Sequence, residues 1–227
     1  MSAQQDALFR DRREAGQQLA RELQPYRGEA PIVLGLPRGG VPVAYEVATL
    51  LDAPLGVLVV SKVGAPQQPE FGIGAVGPGV TVRYDEAIEE VGISEADFER
   101  AAAQMRQVVA DRHRRYNGDD ALPPLRGHTA ILVDDGLATG VSATAAIRAA
   151  RNLSPDQLVL AVPVGAVQSL AALRDEVDDL VCLHALRPFG TVGQWYKHFE
   201  QTTDEAVIEL LEEANCTVTD DDLREPG

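Results

Sequence analysis

Two adjacent carboxylates, Asp134 and Asp135, close the apolar run Ile131-Leu132-Val133, and small and hydroxyl residues follow them: Gly136, Leu137, Ala138, Thr139, Gly140, Val141 and Ser142. The run has the composition of a strand buried on both faces, and the stretch after Gly140 that of a helix. A loop between such elements offers backbone N–H groups, two hydroxyls and the positive end of a helix dipole, all suited to a phosphate dianion. Two carboxylates beside that anion would repel it unless they face donors instead. The 2′ and 3′ hydroxyls of a pentose are such donors, so acid pair and cradle together read as a site for one sugar phosphate. The plainer alternative is a strand ending in an Asp-Asp-Gly turn, with Thr139 capping the next helix.

A second candidate precedes it. After the apolar run 31–36 comes Pro37-Arg38-Gly39-Gly40, whose glycines let an anion approach the backbone and whose arginine is a bidentate donor; alone, it is a turn with a surface arginine. Lys62 follows another apolar run and precedes a Gly/Pro/Gln loop at 63–69, which fits either a strand-end cation beside a mobile lid or a solvated lysine. Glu70 and Arg83, at the ends of the lid, read as surface residues. Arg112, His113, Arg114, Arg115 and Tyr116 form a basic cluster where a helix ends; the macrodipole explains it, and a phosphate contact is the functional alternative. Trp195, Tyr196 and Phe199 would either stack on a planar ligand or pack an appendage.

The elements that must position these residues follow from periodicity. Helical spacing is expected at 6–23, 41–51, 85–91, 94–116, 140–152, 167–174 and 203–213, and strands at 31–36, 55–60, 129–133, 158–164 and 180–183. Two strand-like runs, 71–76 and 80–84, flank the turn Gly77-Pro78-Gly79 and predict a hairpin. Strand and helix alternate from 129 to 183 in the pattern of a doubly wound parallel α/β sheet, which binds ligands beyond its strand ends.

The segment from Val133 to Ser142 resembles the signature by which type I phosphoribosyltransferases bind 5-phosphoribosyl 1-pyrophosphate (PRPP): an apolar strand, two acids, three variable residues, Thr-Gly and a small hydroxyl residue. The resemblance implies that Asp134 and Asp135 hold the ribose hydroxyls, that Gly136, Leu137, Ala138, Thr139, Gly140, Val141 and Ser142 hold ribose and 5′-phosphate, and that Arg38, Gly39 and Gly40 grip the pyrophosphate. It makes Arg38, Lys62, Asp134 and Asp135 the catalytic set, and it places Trp195 and Tyr196 near the acceptor. Mg²⁺ would be held through PRPP and not by protein ligands, and a homodimer would be the assembly. The stretch 34–199 is also similar to an uncharacterised subgroup carrying Gly-Leu-Pro-Arg-Gly-Gly-Val-Pro-Val-Ala, Lys-Val-Gly-Ala-Pro and Gly-Gln-Trp-Tyr in this order. The implied architecture is an α/β core at 1–186 with a hairpin lid, a small C-terminal hood with its helix at 187–219, and a tail at 220–227.

Two departures from the family pattern bear on the acceptor. Where 6-oxopurine enzymes place an aspartate before Thr-Gly this chain has Ala138, which disfavours that activity. Gly136 replaces a larger apolar residue, so the base-side wall is expected to be open or mobile. The reaction implied is transfer of a 5-phosphoribosyl group to a nucleobase or other nitrogenous acceptor with release of pyrophosphate. The rivals are a PRPP- or nucleotide-sensing regulator without turnover, and a phosphohydrolase, for which no water-positioning base is identifiable.

Composition narrows the classes further. A net charge of −15 over 227 residues opposes nucleic acid and anionic membrane as partners, and no apolar run is long enough to span a bilayer. Cys182 and Cys216 lack metal-ligand spacing, and the polar start at 1–13 is unlike a signal peptide, so a cytoplasmic setting is expected. Gly72-Ile73-Gly74-Ala75-Val76-Gly77 matches a dinucleotide-binding pattern but leads into a turn and a strand instead of a helix, and residues 136–142 lack the lysine of a P-loop.

Overall fold

The computed structural model describes residues 7–118, 122 and 124–221, with side chains described through Ala214. Residues 222–227 of the expected tail and the side chain of Cys216 lie outside the described residues. In chain order the elements are α1 (Arg12–Glu22), β1 (Pro31–Gly35), α2 (Gly40–Leu51), β2 (Leu55–Val57), β3 (Ser61–Ala65), β4 (Gln68–Gly77), β5 (Val80–Arg83) and α3 (Asp85–Val91). There follow α4 (Glu95–Asn117), β6 (Thr129–Val133), α5 (Val141–Asn152), β7 (Gln157–Ala166), α6 (Val167–Leu173), β8 (Asp179–Leu186) and α7 (Asp204–Asp221).

The main sheet is parallel throughout, in the order β2-β1-β6-β7-β8. Side chains alternate across it. Val33, Ile131, Val133, Val159 and Ala161 enter one core with residues of α1, α2, α4 and α7, while Ile32, Leu34, Ala130, Leu132, Leu158 and Leu160 enter the other with residues of α5 and α6. Both faces are covered, which is why these strands read as unbroken apolar runs. Each Val, Leu or Ile buried this way contributes roughly 1.5–3 kcal/mol. The expected doubly wound α/β sheet is present.

Four elements differ from the sequence expectation: α7 runs on to Asp221, past the expected end at 213 and into the first two residues of the expected tail, and three others depart as follows. The helix anticipated at 6–23 begins at Arg12, where Asp11 caps it by accepting from the Glu14 amide at 2.9 Å. Leu8 and Phe9, whose apolar character had suggested helix, instead run extended: both amides donate to the Trp195 carbonyl, and Lys197 N donates back to Phe9 O at 2.9 Å.

The strand expected at 55–60 divides. Leu55–Val57 stays in the parallel sheet, and after Val60 the chain starts β3 in a second, antiparallel sheet, β3-β4-β5. The Gly/Pro/Gln loop expected at 63–69 is thus mostly strand, and the hairpin has a third member. Its glycines permit close approach where a loop was inferred: a Cβ on Gly64 would collide with the Pro69 backbone, and one on Gly74 with the Val82 carbonyl. Val63 and Ile73 are buried in the same core as Phe98 and Ala102 of α4, and this burial stabilises strands that local propensity disfavours. After Gly77 comes β5, so the dinucleotide-like glycine pattern opens no helix.

Candidate functional site

Parallel pairing of β1 with β6 sets Gly35 opposite Val133, so the chain leaves both strands at the same edge of the sheet. The Leu36 amide donates to Val133 O at 2.9 Å, and the loop at 37–40, whose Pro37–Arg38 peptide is cis, then passes directly beside the acid pair. A Cβ on Gly40 would lie 2.6 Å from the Val133 carbonyl, and one on Gly39 would collide with the Asp135 carboxylate. The two glycine positions therefore admit no side chain, and Arg38, Gly39 and Gly40 share one locus with Asp134 and Asp135.

Asp134 Oδ1 accepts from the Asp135 amide at 2.8 Å, and both side chains are only partly exposed. Burial pushes the Asp134 carboxyl well above the usual carboxylate range, and the neighbouring Asp135 charge adds to this. Asp135 is raised too, again by burial, but against the opposing pull of Arg12. Arg12, from the first turn of α1, donates Nε–H to Asp135 Oδ2 at 2.8 Å and Nη1–H to the Glu200 carbonyl at 2.8 Å. Its guanidinium lies 3.8 Å from the centroid of the Phe199 ring.

The following loop is held against β7. Leu137 N donates to Val164 O at 2.9 Å, Ala166 N donates to Leu137 O at 2.8 Å, and Ser169 Oγ donates to Ala138 O at 2.5 Å. Gly140 adopts φ 80°, a left-handed conformation suited to glycine, and is the N-cap of α5 without any side-chain cap. Thr139 is exposed and does not cap the helix. The positive end of α5, with the Thr139 and Ser142 hydroxyls nearby in sequence, is thus left available to an anion.

Gly136 does not open the wall. A Cβ there would stand 2.6 Å from Val192 Cγ1 and 2.9 Å from Val164 Cγ2, so the side chain missing at 136 is supplied by the loop after β8. Trp195 and Tyr196 are buried: Tyr196 stacks with Phe199 at 5.0 Å and packs on Phe9 at 5.5 Å, and Trp195 Nε1–H donates to Phe189 O at 3.2 Å. The Tyr196 hydroxyl donates to the Asp135 carbonyl at 2.6 Å. Tyr196 thus stands next to the acid pair while Trp195 packs against Phe189, and both rings are taken up by protein neighbours.

Arg38 points toward α7, with Nη1 3.7 Å from Asp204 Oδ1. The same carboxylate receives Arg115 Nη1 at 2.6 Å and the Tyr116 hydroxyl at 2.5 Å, and Tyr116 is pushed up to about 12 by burial and by that bond. Part of the basic cluster at the end of α4 therefore meets Arg38 across Asp204. Lys62 is elsewhere. Its Nζ donates to the Glu70 carbonyl at 2.8 Å and lines a cleft of about 390 Å³ with Pro66, Arg100 and Met105.

Sequence reading missed Arg12 and Asp204. Arg12 carried one signal: a cation in the first turn of a helix opposes the macrodipole, so a tertiary partner was called for. Asp204 at a helix start looks like an ordinary dipole-stabilising acid, and nothing local marks it. Among the described residues, no group of three or more His, Cys, Asp or Glu is placed to hold a metal ion, and no helix is long and apolar enough to cross a membrane.

Comparison with known proteins gives a consistent set of likenesses. Residues 3–191 match the family model described as a phosphoribosyl transferase domain. Proteins from two strains of Mycobacterium tuberculosis, each carrying the provisional name phosphoribosyl transferase, are 45% identical over 214 residues. That alignment takes in 92% of this chain and 47% of each relative, so the chain spans about half the length of the curated relatives it matches. The crystal structure of TT1426 from Thermus thermophilus superposes with a TM-score of 0.78 at 42% identity, covering 90% of this chain and 98% of that one.

Proposed function

Because the chain belongs to the phosphoribosyl transferase domain family, we propose that it binds PRPP where β1 and β6 end and transfers the 5-phosphoribosyl group to a nucleobase or other nitrogenous acceptor. The observation that carries this reading is the convergence of a carboxylate pair, a glycine loop in contact with it and an uncapped helix N-terminus at one sheet edge. In this reading Asp134 and Asp135 accept from the ribose hydroxyls. Residues 136–142 hold the ribose and 5′-phosphate, and Gly39 and Gly40 let the pyrophosphate approach the backbone beside Arg38.

Transfer breaks the bond from C1 to the pyrophosphate oxygen and forms one from C1 to the acceptor nitrogen, through an oxocarbenium-like transition state. Asp134 and Asp135 favour the positive charge that develops on the ribose, and Arg38 offsets the charge growing on the leaving group. Mg²⁺, if bound with PRPP, would neutralise pyrophosphate oxygens, and the hard carboxylate oxygens of the acid pair suit a contact with its hydration shell. Lys62, tied to Glu70, would reach the leaving group only if the β3-β4 hairpin swings inward. The core at 1–186 would carry the sugar-phosphate site and residues 187–219 would form its hood. A cytoplasmic homodimer is the proposed setting, and the acid excess supports a small-molecule partner over nucleic acid.

Ala138, which offers no carboxylate toward a base and whose carbonyl is held by Ser169, favours a second reading in which PRPP is sensed without turnover. One assay separates the two. Purified protein is incubated with PRPP, Mg²⁺ and a panel of bases while pyrophosphate release and nucleotide mass are followed. Acceptor-dependent release means transfer, binding with thermal stabilisation but no release means sensing, and absence of PRPP binding defeats both.

A further inference from the structure

We propose that Arg12 is a positioning residue for Asp135, fixing its carboxylate for the ribose and coupling α1 and the segment 195–200 to sugar recognition. This rests on the reading of the acid pair as the ribose site.

Arg12 and Asp135 side chains are each 13% exposed, and the guanidinium satisfies three partners at once: a carboxylate, the Glu200 carbonyl and the face of Phe199. Only a planar fork does this; an ammonium at the same place would lose at least one partner. Stability is a weak reason for such an arrangement, because the desolvation of a buried ion pair offsets much of its attraction. Its place at the acid pair is the better reason.

Among the described residues, three charged or titratable groups face Asp135 in the contacts it makes. Arg12 comes from α1, Asp134 from its own loop and Tyr196 from the segment after β8, while the loop after β1 contributes the Gly39 backbone, since Arg38 turns to Asp204. Burial works against a charged Asp135, and Arg12 is the opposing cation, in direct hydrogen-bond contact with the carboxylate. Loss of Arg12 therefore makes Asp135 harder to ionise, and a protonated carboxyl is a poorer acceptor for two ribose hydroxyls.

The test is calorimetric titration of the full chain with PRPP and Mg²⁺ between pH 5 and 8, using wild type, Arg12→Gln, Arg12→Lys, Asp135→Asn and the Arg12→Gln/Asp135→Asn pair. Arg12→Gln is expected to weaken PRPP binding about tenfold at neutral pH, to move the loss of binding on acidification to higher pH, and to be partly rescued by lysine. In the Asp135→Asn background it should cost less than about twofold further, because no carboxylate is left there for Arg12 to keep ionised. An equal loss in both backgrounds, or an unmoved pH midpoint, overturns the proposal while leaving the ribose site standing. Wild-type protein that fails to bind PRPP overturns the underlying reading instead. Should Arg12→Gln not fold, Arg12→Lys, which keeps the charge and loses the fork, carries the same cycle.

Discussion

Val192 occupies the space that a side chain at Gly136 would need, its Cγ1 2.6 Å from where that Cβ would stand. The loop after β8 is thereby keyed into the loop after β6, and the wall beside the acid pair is built from two distant segments. Gly136→Ala should destabilise the protein by about 2 kcal/mol through overpacking, lowering Tm by roughly 4–8 °C. Adding Val192→Ala should recover part of that loss although Val192→Ala alone is destabilising. Thermal melts of the two single variants and the double variant check this; strict additivity would mean that the two residues do not press on one another.

Asp134 is harder to ionise in the folded chain than in the unfolded one, because burial and the Asp135 charge penalise its anion. Its folded form binds the proton more tightly, so this group's contribution to stability is present below its unfolded value of 3.8 and is lost as pH rises through the raised folded value. Asp134→Asn removes the penalty while keeping an oxygen to accept from the Asp135 amide. Unliganded Asp134→Asn should melt roughly 2–4 °C higher than wild type near pH 8, with the difference closing toward pH 4, and should bind PRPP at least about tenfold more weakly. Melting curves across pH with and without PRPP would show both effects.

Asp204 holds Arg38 and Arg115 in a shared ion pair at the mouth of the proposed pyrophosphate loop. Its negative charge competes with any anion that Arg38 is to bind. Asp204→Asn should tighten pyrophosphate binding about two- to fivefold at low ionic strength, with the gain shrinking as salt screens the pair, at a stability loss below about 1 kcal/mol. In the same variant the Tyr116 hydroxyl should titrate below its present value of about 12, readable from its ultraviolet absorbance.

Lys62 separates two kinds of contribution. Its ammonium donates to the Glu70 carbonyl and lies 3.5 Å from the Glu70 carboxylate, partners other than the acid pair. If the β3-β4 hairpin closes on PRPP, Lys62→Ala should lower kcat about tenfold and leave PRPP affinity within about twofold, whereas Arg38→Ala should reduce affinity itself. Steady-state kinetics beside calorimetry distinguish the cases, and a Lys62→Ala enzyme with unchanged kcat would mark a stationary strand lysine.

The doubly wound sheet and the acid-pair strap were legible because their signals are local. Alternate residues of β1, β6 and β7 fall to opposite faces, both faces are apolar, and the chemistry-bearing residues 134–142 are contiguous. The hairpin of β4 and β5 was legible too, but its third strand β3 was not, since Gly64 and the Pro and Gln residues that follow carry a loop signal locally and allow close backbone approach only once β4 lies against β3.

By itself the sequence determined which strand would end in two carboxylates and that a glycine loop with an arginine would leave a neighbouring strand. Only the tertiary structure decided what those groups face: Asp135 meets Arg12 across a separation of 123 residues, Arg38 meets Asp204, and Val192 fills the room at Gly136. Period and local residue type specify which face of an element is buried. Which charge lies opposite which is settled when separate elements pack, and no spacing along the chain encodes it.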